Sequence, residues 1–143
     1  MGNSILLMLD LYHRILNAIL KKYPDHEEKM GLLPEEYPEH YECRYVLNGH
    51  LPKAFHLAND GENRLLLSIF PAATPGNHTH YTIHNIFDHN GISFTSDNAE
   101  VFLINIDKPL SVFRLANSDD SFDEYVPYTE KKLMGAIFKA LEK

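Results

Sequence analysis

Arg64-Leu65-Leu66-Leu67-Ser68-Ile69-Phe70 is the run that decides the fold. Its apolar residues stand at consecutive positions, so an extended chain would bury both faces, and the run is too short for a core helix. It reads as a central strand. Immediately upstream, Asn59-Asp60-Gly61-Glu62 carries a hairpin signal, and before it Cys43–Asn48 and Lys53–Ala58 are short runs rich in Tyr, Val and Phe, separated by Asn48-Gly49 and Pro52. Downstream, Pro71–Gly76 reads as a loop. His78–Phe87, Ile92–Thr95, Glu100–Ile106 and Leu110–Leu115 follow, punctuated by Asp88-His89-Asn90-Gly91, Ser96-Asp97-Asn98 and Asp107-Lys108-Pro109. Runs this short and evenly spaced, with no helix between them, predict an antiparallel meander of six or seven strands rather than βαβ units.

Helices are expected at both ends of that meander. Ser4 can cap a segment running to Tyr23, where Pro24 ends it. Asp10, His13, Arg14, Asn17 and Lys21 form its polar stripe, and Leu9, Tyr12, Ile15, Leu16, Ile19 and Leu20 fill the opposite arc, as in a helix packed on a sheet. Thr129 can cap a last helix in which Leu133, Met134, Ile137, Phe138 and Leu141 recur at helical spacing, with Lys131, Lys132 and Lys139 on its other face. The reading is one α+β domain over residues 1–143, with both helices packed on the sheet. A chain of 143 residues can bury about two-thirds of its unfolded surface, and 44% hydrophobic with 23% charged residues is globular composition.

Composition also excludes function classes. A net charge of -7, with 13 scattered basic residues, argues against nucleic acid as the partner. Cys43 is the single cysteine, so no intrachain disulfide framework exists and a reducing cytoplasm is the simplest expected location. No run reaches the roughly 18 apolar residues of a membrane span. Ile5-Leu6-Leu7-Met8-Leu9 is cut off by Asp10, has no basic residue ahead of it and no small-residue cleavage site behind it, so it is not read as a secretory core. Leu6 also stands where a myristoylation signal needs Ser or Thr.

Eleven of the 20 acids lie in two segments, Asp25–Glu42 and Asn117–Glu124. Both are expected to be loops, the first broken by Pro34 and Pro38. Each mixes negative charge with aromatic area. Glu35, Glu36, Tyr37, Glu39 and Tyr41 in the first, and Asp119, Asp120, Asp123 and Glu124 beside Phe122 and Tyr125 in the second, form a candidate docking face for a basic protein. Aromatic anchors within a charged rim suit an interface, and opposite charge accelerates encounter. The outline, acidic with an amphipathic helix at each end of a small sheet, is similar to export chaperones at the level of fold class. An inhibitor or immunity protein would have the same needs.

The histidines carry the competing reading. On a strand over His78–Phe87, His78, His80, Thr82 and His84 point to one face, and two histidines one residue apart can converge on zinc or iron. Together with Gly91 they partly resemble the first cupin motif, which implies one divalent metal ion. His84 stands where that family has Glu, Ala72 where it has Gly, and no histidine follows His89. Asp88 or His56 is the candidate further ligand. His80-Tyr81-Thr82 resembles one half of the paired motif of two-histidine phosphoesterases, and no second copy is present. Cys43, beside Arg44 and three residues after His40, could hold an activated thiolate but reads as structural. Phosphate loops, nucleophile elbows and His-Glu-x-x-His are absent from the sequence. The sequence therefore favours a protein-binding module that uses no cofactor, with a metal-dependent enzyme as the alternative.

Overall fold

A computed structural model of the chain describes residues 2–49, 52–60, 63–71, 100–106, 110–116, 126–127 and 129–142. Helix α1 spans Gly2–Lys22 and helix α2 spans Glu130–Leu141. Between them lie β1 (His26–Leu32), β2 (Glu42–Leu47), β3 (Lys53–Asp60), β4 (Arg64–Pro71), β5 (Glu100–Asn105), β6 (Ser111–Ala116) and β7 (Val126–Pro127). The seven strands form one sheet in sequence order, each antiparallel to the next. This is the α+β arrangement that the sequence predicts.

Register explains which residues face the helices. Opposed residues in an antiparallel pair share a face. The pairings Cys43 with Leu57, Leu57 with Leu67 and Leu67 with Phe102 therefore draw one row across four strands. Phe55 with Ile69, and Leu65 with Ile104, add parallel rows on the same side. All of these residues join Met8, Leu11, Tyr12, Ile15 and Ile19 of α1 and Leu133, Ile137, Ala140 and Leu141 of α2 in one core. The intervening positions face the other way, yet Ala54, Ala58, Leu66, Val101 and Leu103 are buried too. Strand β4 thus has no exposed face over Leu65–Ile69, as its unbroken apolar run requires.

The helices lie side by side and point the same way. Arg14 in α1 donates to both carboxylate oxygens of Glu130, the first residue of α2, at 2.8 and 2.9 Å. At the other end the Tyr23 hydroxyl meets Glu142 at 3.3 Å, Lys22 Nζ lies 3.7 Å from the same carboxylate, and that ammonium sits 5.2 Å from the Phe138 ring centroid. Thr129 caps α2, its hydroxyl accepting from the Lys132 amide at 3.1 Å, which satisfies one of the amides that a helix start leaves over. Because α1 has 21 residues and α2 has 12, the part of α1 ahead of Arg14 extends past the start of α2.

Two expectations need correction. Asp25–Glu42 is not a loop throughout: His26–Leu32 is strand β1, paired with β2 from His26 opposite Leu47 to Leu32 opposite Glu42, with an irregularity between Glu28 and Met30. It is an edge strand, and charged residues on an edge are what keep it from pairing with other chains, so Glu27, Glu28 and Lys29 are compatible with it. Secondly, β4 is hydrogen-bonded directly to β5 across six opposed pairs, Arg64 with Asn105 through Ile69 with Glu100. The expected strands His78–Phe87 and Ile92–Thr95 lie outside the described residues. No described helix is long and apolar enough to cross a membrane.

Leu67 is fully buried in the middle of the sheet under both helices. Leu67→Ala is expected to cost about 2–5 kcal/mol through lost burial and the cavity it leaves. Urea denaturation of the variant against the parent checks this.

Candidate functional site

The candidate site is built at the end of the molecule where both helices begin. Tyr12 packs edge-on against Tyr41, just before β2, with ring centroids 4.8 Å apart. Tyr23, one residue beyond α1, shares a pocket with Leu47 at the end of β2. Helix α1 therefore runs along β2 in the same direction, with its start on the side of the 33–40 loop. Leu6 lies six residues before Tyr12, about 9 Å along the axis. Leu6 and Leu7 are 64% and 57% exposed, and with Leu9, Asp10 and His13 they line a groove of about 640 Å³.

The 33–40 loop is a pair of tight turns held firmly to the sheet. The Leu33 carbonyl accepts from the amides of Glu36 and Tyr37 at 3.0 and 2.8 Å, and the Tyr37 carbonyl accepts from His40 at 3.2 Å. Asn59 fastens its far end. This buried side chain accepts from the Tyr41 amide at 2.8 Å and donates to the Glu39 carbonyl at 3.0 Å, while the Asn59 backbone N–H donates to the Tyr41 carbonyl at 3.2 Å. Leu33, Glu35, Glu36, Tyr37 and Glu39 are all exposed on this scaffold.

A second fastening is a carboxylate shared by two histidines. Glu42 bridges two imidazoles: His56 Nε2 lies 2.5 Å from one carboxylate oxygen and His40 Nε2 lies 2.9 Å from the other. Arg44 stands opposite His56 and Glu42 is two residues before Arg44, so the Glu42–His56 contact is a diagonal cross-strand pair. Hydrogen bonds from His56 first and His40 second hold the Glu42 carboxyl down at about 2, against the opposing effect of burial. This cluster pins the loop at His40. It offers no metal cage: among the described residues, no group of three or more His, Cys, Asp or Glu side chains is placed to hold a metal ion.

Each residue singled out in the sequence can now be placed. Glu35, Glu36, Tyr37 and Glu39 lie together on the loop, and none of the three glutamates has an ion-pair partner among the described residues. Tyr41 is a core residue rather than a docking one, being 3% exposed against Tyr12 with its phenol pKa raised by burial. His56, read as a further metal ligand, is 1% exposed and bonded to Glu42. The expected docking residues Asp119, Asp120, Asp123 and Glu124, and the expected metal ligands His78, His80 and His84, lie outside the described residues. Cys43 is buried and free, and burial pushes its thiol up to about 11, so it is no activated thiolate.

Sequence reasoning passed over Leu6, Leu7 and Leu33. The first two stand one and two turns ahead of Asp10, His13 and Arg14, so they lie on the polar stripe of α1 rather than on its core face, whereas Met8 beside them is buried. Compared with protein-family models, curated proteins and solved structures, the chain matches none.

Two outcomes test this geometry. The Glu42 carboxyl is depressed from 4.5 to about 2 in the folded state, so its stabilisation is complete above 4.5 and is lost as pH falls through about 2. Glu42→Gln is expected to cost about 1–3 kcal/mol at neutral pH and to flatten the acid limb of stability. Chemical denaturation across that window decides, and parallel acid limbs in the two proteins would sink the idea. Asn59→Ala leaves the Tyr41 amide and the Glu39 carbonyl without their partner, at a cost of about 1–3 kcal/mol. Hydrogen exchange should then rise in residues 36–41 more than in β4.

Proposed function

We propose that this chain is a protein-binding module that occupies a basic surface of a partner protein, as an inhibitor, immunity protein or export chaperone would, through the end formed by the start of α1 and the 33–40 loop. One observation carries the reading. Among the described residues the exposed large apolar side chains are Leu6, Leu7, Leu33 and Tyr37, and all four belong to that end. Two exposed apolar side chains on each of two elements at one end mark a candidate interaction surface, whereas apolar residues scattered singly do not.

Charge supplies the partner's chemistry. Glu35, Glu36 and Glu39 ring Tyr37, no Lys or Arg lies between Met30 and Arg44, and the chain carries -7 overall. An aromatic anchor inside an unpaired acidic rim suits a basic surface with an apolar pocket at its centre. The fastening by Asn59 and Glu42 means that little loop ordering has to be paid for on binding.

Affinity capture with the intact chain, followed by binding kinetics on the captured partner, tests the proposal. Replacing Glu35, Glu36 and Glu39 by Lys is expected to slow association about tenfold or more at low salt and to abolish its salt dependence. Tyr37→Ala is expected to accelerate dissociation, costing about 1–2 kcal/mol or more. A partner bound with the same rates by both variants would overturn the reading.

A further inference from the structure

At the opposite end of the molecule, where both helices finish, Tyr23, Leu47, Asn48, Gly49, Lys53, Leu141 and Glu142 enclose a pocket of about 250 Å³. Leu47 and Leu141 are 4% exposed and supply its apolar floor. Lys53 is the unexpected member. It stands opposite Leu47 in the β2–β3 register, so it shares the helix-facing side of the sheet with the core. Its side chain is partly buried, and among the described residues no carboxylate lies within ion-pair distance of it.

A partly desolvated ammonium next to apolar side chains, with no counter-charge, is costly unless an anion completes it. The acid that lines the same pocket does not do so. Glu142 is shared between Lys22 at 3.7 Å and the Tyr23 hydroxyl at 3.3 Å. Asn48 is likewise engaged, its amide group donating to Asp25 at 3.2 Å. Among the described residues of the pocket, Lys53 is the charge left for a ligand.

We propose that this pocket binds a small organic carboxylate, its anionic group on Lys53 and an apolar body of aryl or branched-alkyl type on Leu47, Leu141 and the Tyr23 ring. The volume sets the size class. It falls below the roughly 300–1,000 Å³ of sites for drug-sized ligands, so the acid is about as large as benzoate. The site lies away from the docking end and stands whether or not a protein partner binds there.

Benzoate is the probe, titrated into the isotope-labelled full chain and followed by amide and lysine NMR shifts, with benzamide and inorganic phosphate as comparisons. Saturable shifts are expected at Tyr23, Asn48, Lys53 and Glu142 with a dissociation constant of about 1 mM or below. Benzamide, which lacks the charge, and phosphate, which lacks the apolar body, should each bind at least about tenfold more weakly. Lys53→Met should weaken benzoate by about tenfold or more by removing the charge. Gly49→Leu should weaken it by filling the pocket, since a Cβ at Gly49 meets nothing within 4 Å and disturbs no packing. Absence of saturation, equal binding of benzamide or phosphate, or unchanged benzoate binding in both variants overturns the proposal.

Discussion

Burial of one sheet face beneath two helices is the constraint on which the rest of the structure depends. Cys43, Leu57, Leu67 and Phe102 make a continuous apolar row across β2 to β5, and such a row is stable only when covered. Helix α1 covers it with Met8, Leu11, Tyr12, Ile15 and Ile19, and α2 adds Leu133, Ile137, Ala140 and Leu141. Leu6 and Leu7 are exposed because they stand on the polar stripe of α1 with Asp10 and His13, while Met8 beside them turns into the core. The start of α1 thus carries apolar side chains on both its faces, and the pocket at the other end lies where both helices stop.

Polar groups buried in the sheet do a different job. Asn59 is buried and Glu42 half-buried, and together they hold the Glu39–Tyr41 segment, Asn59 at its two ends and Glu42 at His40 between them. An amide side chain that both donates and accepts can fasten two backbone groups at once, which an apolar residue of the same size cannot. The Glu42 carboxylate is stabilised by hydrogen bonds to the two imidazoles and stays charged well into acid, so it keeps its strength as an acceptor over the whole neutral range. Rigid presentation of Tyr37 follows from residues that sequence inspection had no reason to associate with it.

How much was legible follows from the same physics. The β4 run is apolar at consecutive positions because both its faces are buried, and that was visible without coordinates. The helices were visible because their stripes repeat at helical spacing. Strand β1 was not, since Glu27, Glu28 and Lys29 break any alternation, and an edge strand derives its pairing from the backbone of β2 rather than from side-chain burial. Tyr41 was grouped with its acidic sequence neighbours, whereas its environment is set by Asn59 and Tyr12, residues far away in the chain. The Glu42 cluster depends on register: only when Arg44 is known to stand opposite His56 does Glu42 become a diagonal neighbour of that histidine. His40 and Glu42, alternating just before an apolar strand, were the one local signal for it. The exposure of Leu6 and Leu7 follows from local spacing, since both stand one turn ahead of Asp10 on the polar stripe of α1.

The pairing of α1 with α2 also fixes an order of events during synthesis. Every strand contacts its sequence neighbour, but the Arg14–Glu130 contact spans 116 residues. Contacts between distant segments form only after a large loop has closed, and the entropy of that closure falls as the intervening sheet assembles. On the ribosome, α1 therefore waits beside a half-covered sheet until α2 has emerged. During that interval the row from Cys43 to Phe102 is open to other nascent chains. Helix α2 is the element that closes the core, so the fold is complete only once Leu141 has left the ribosome.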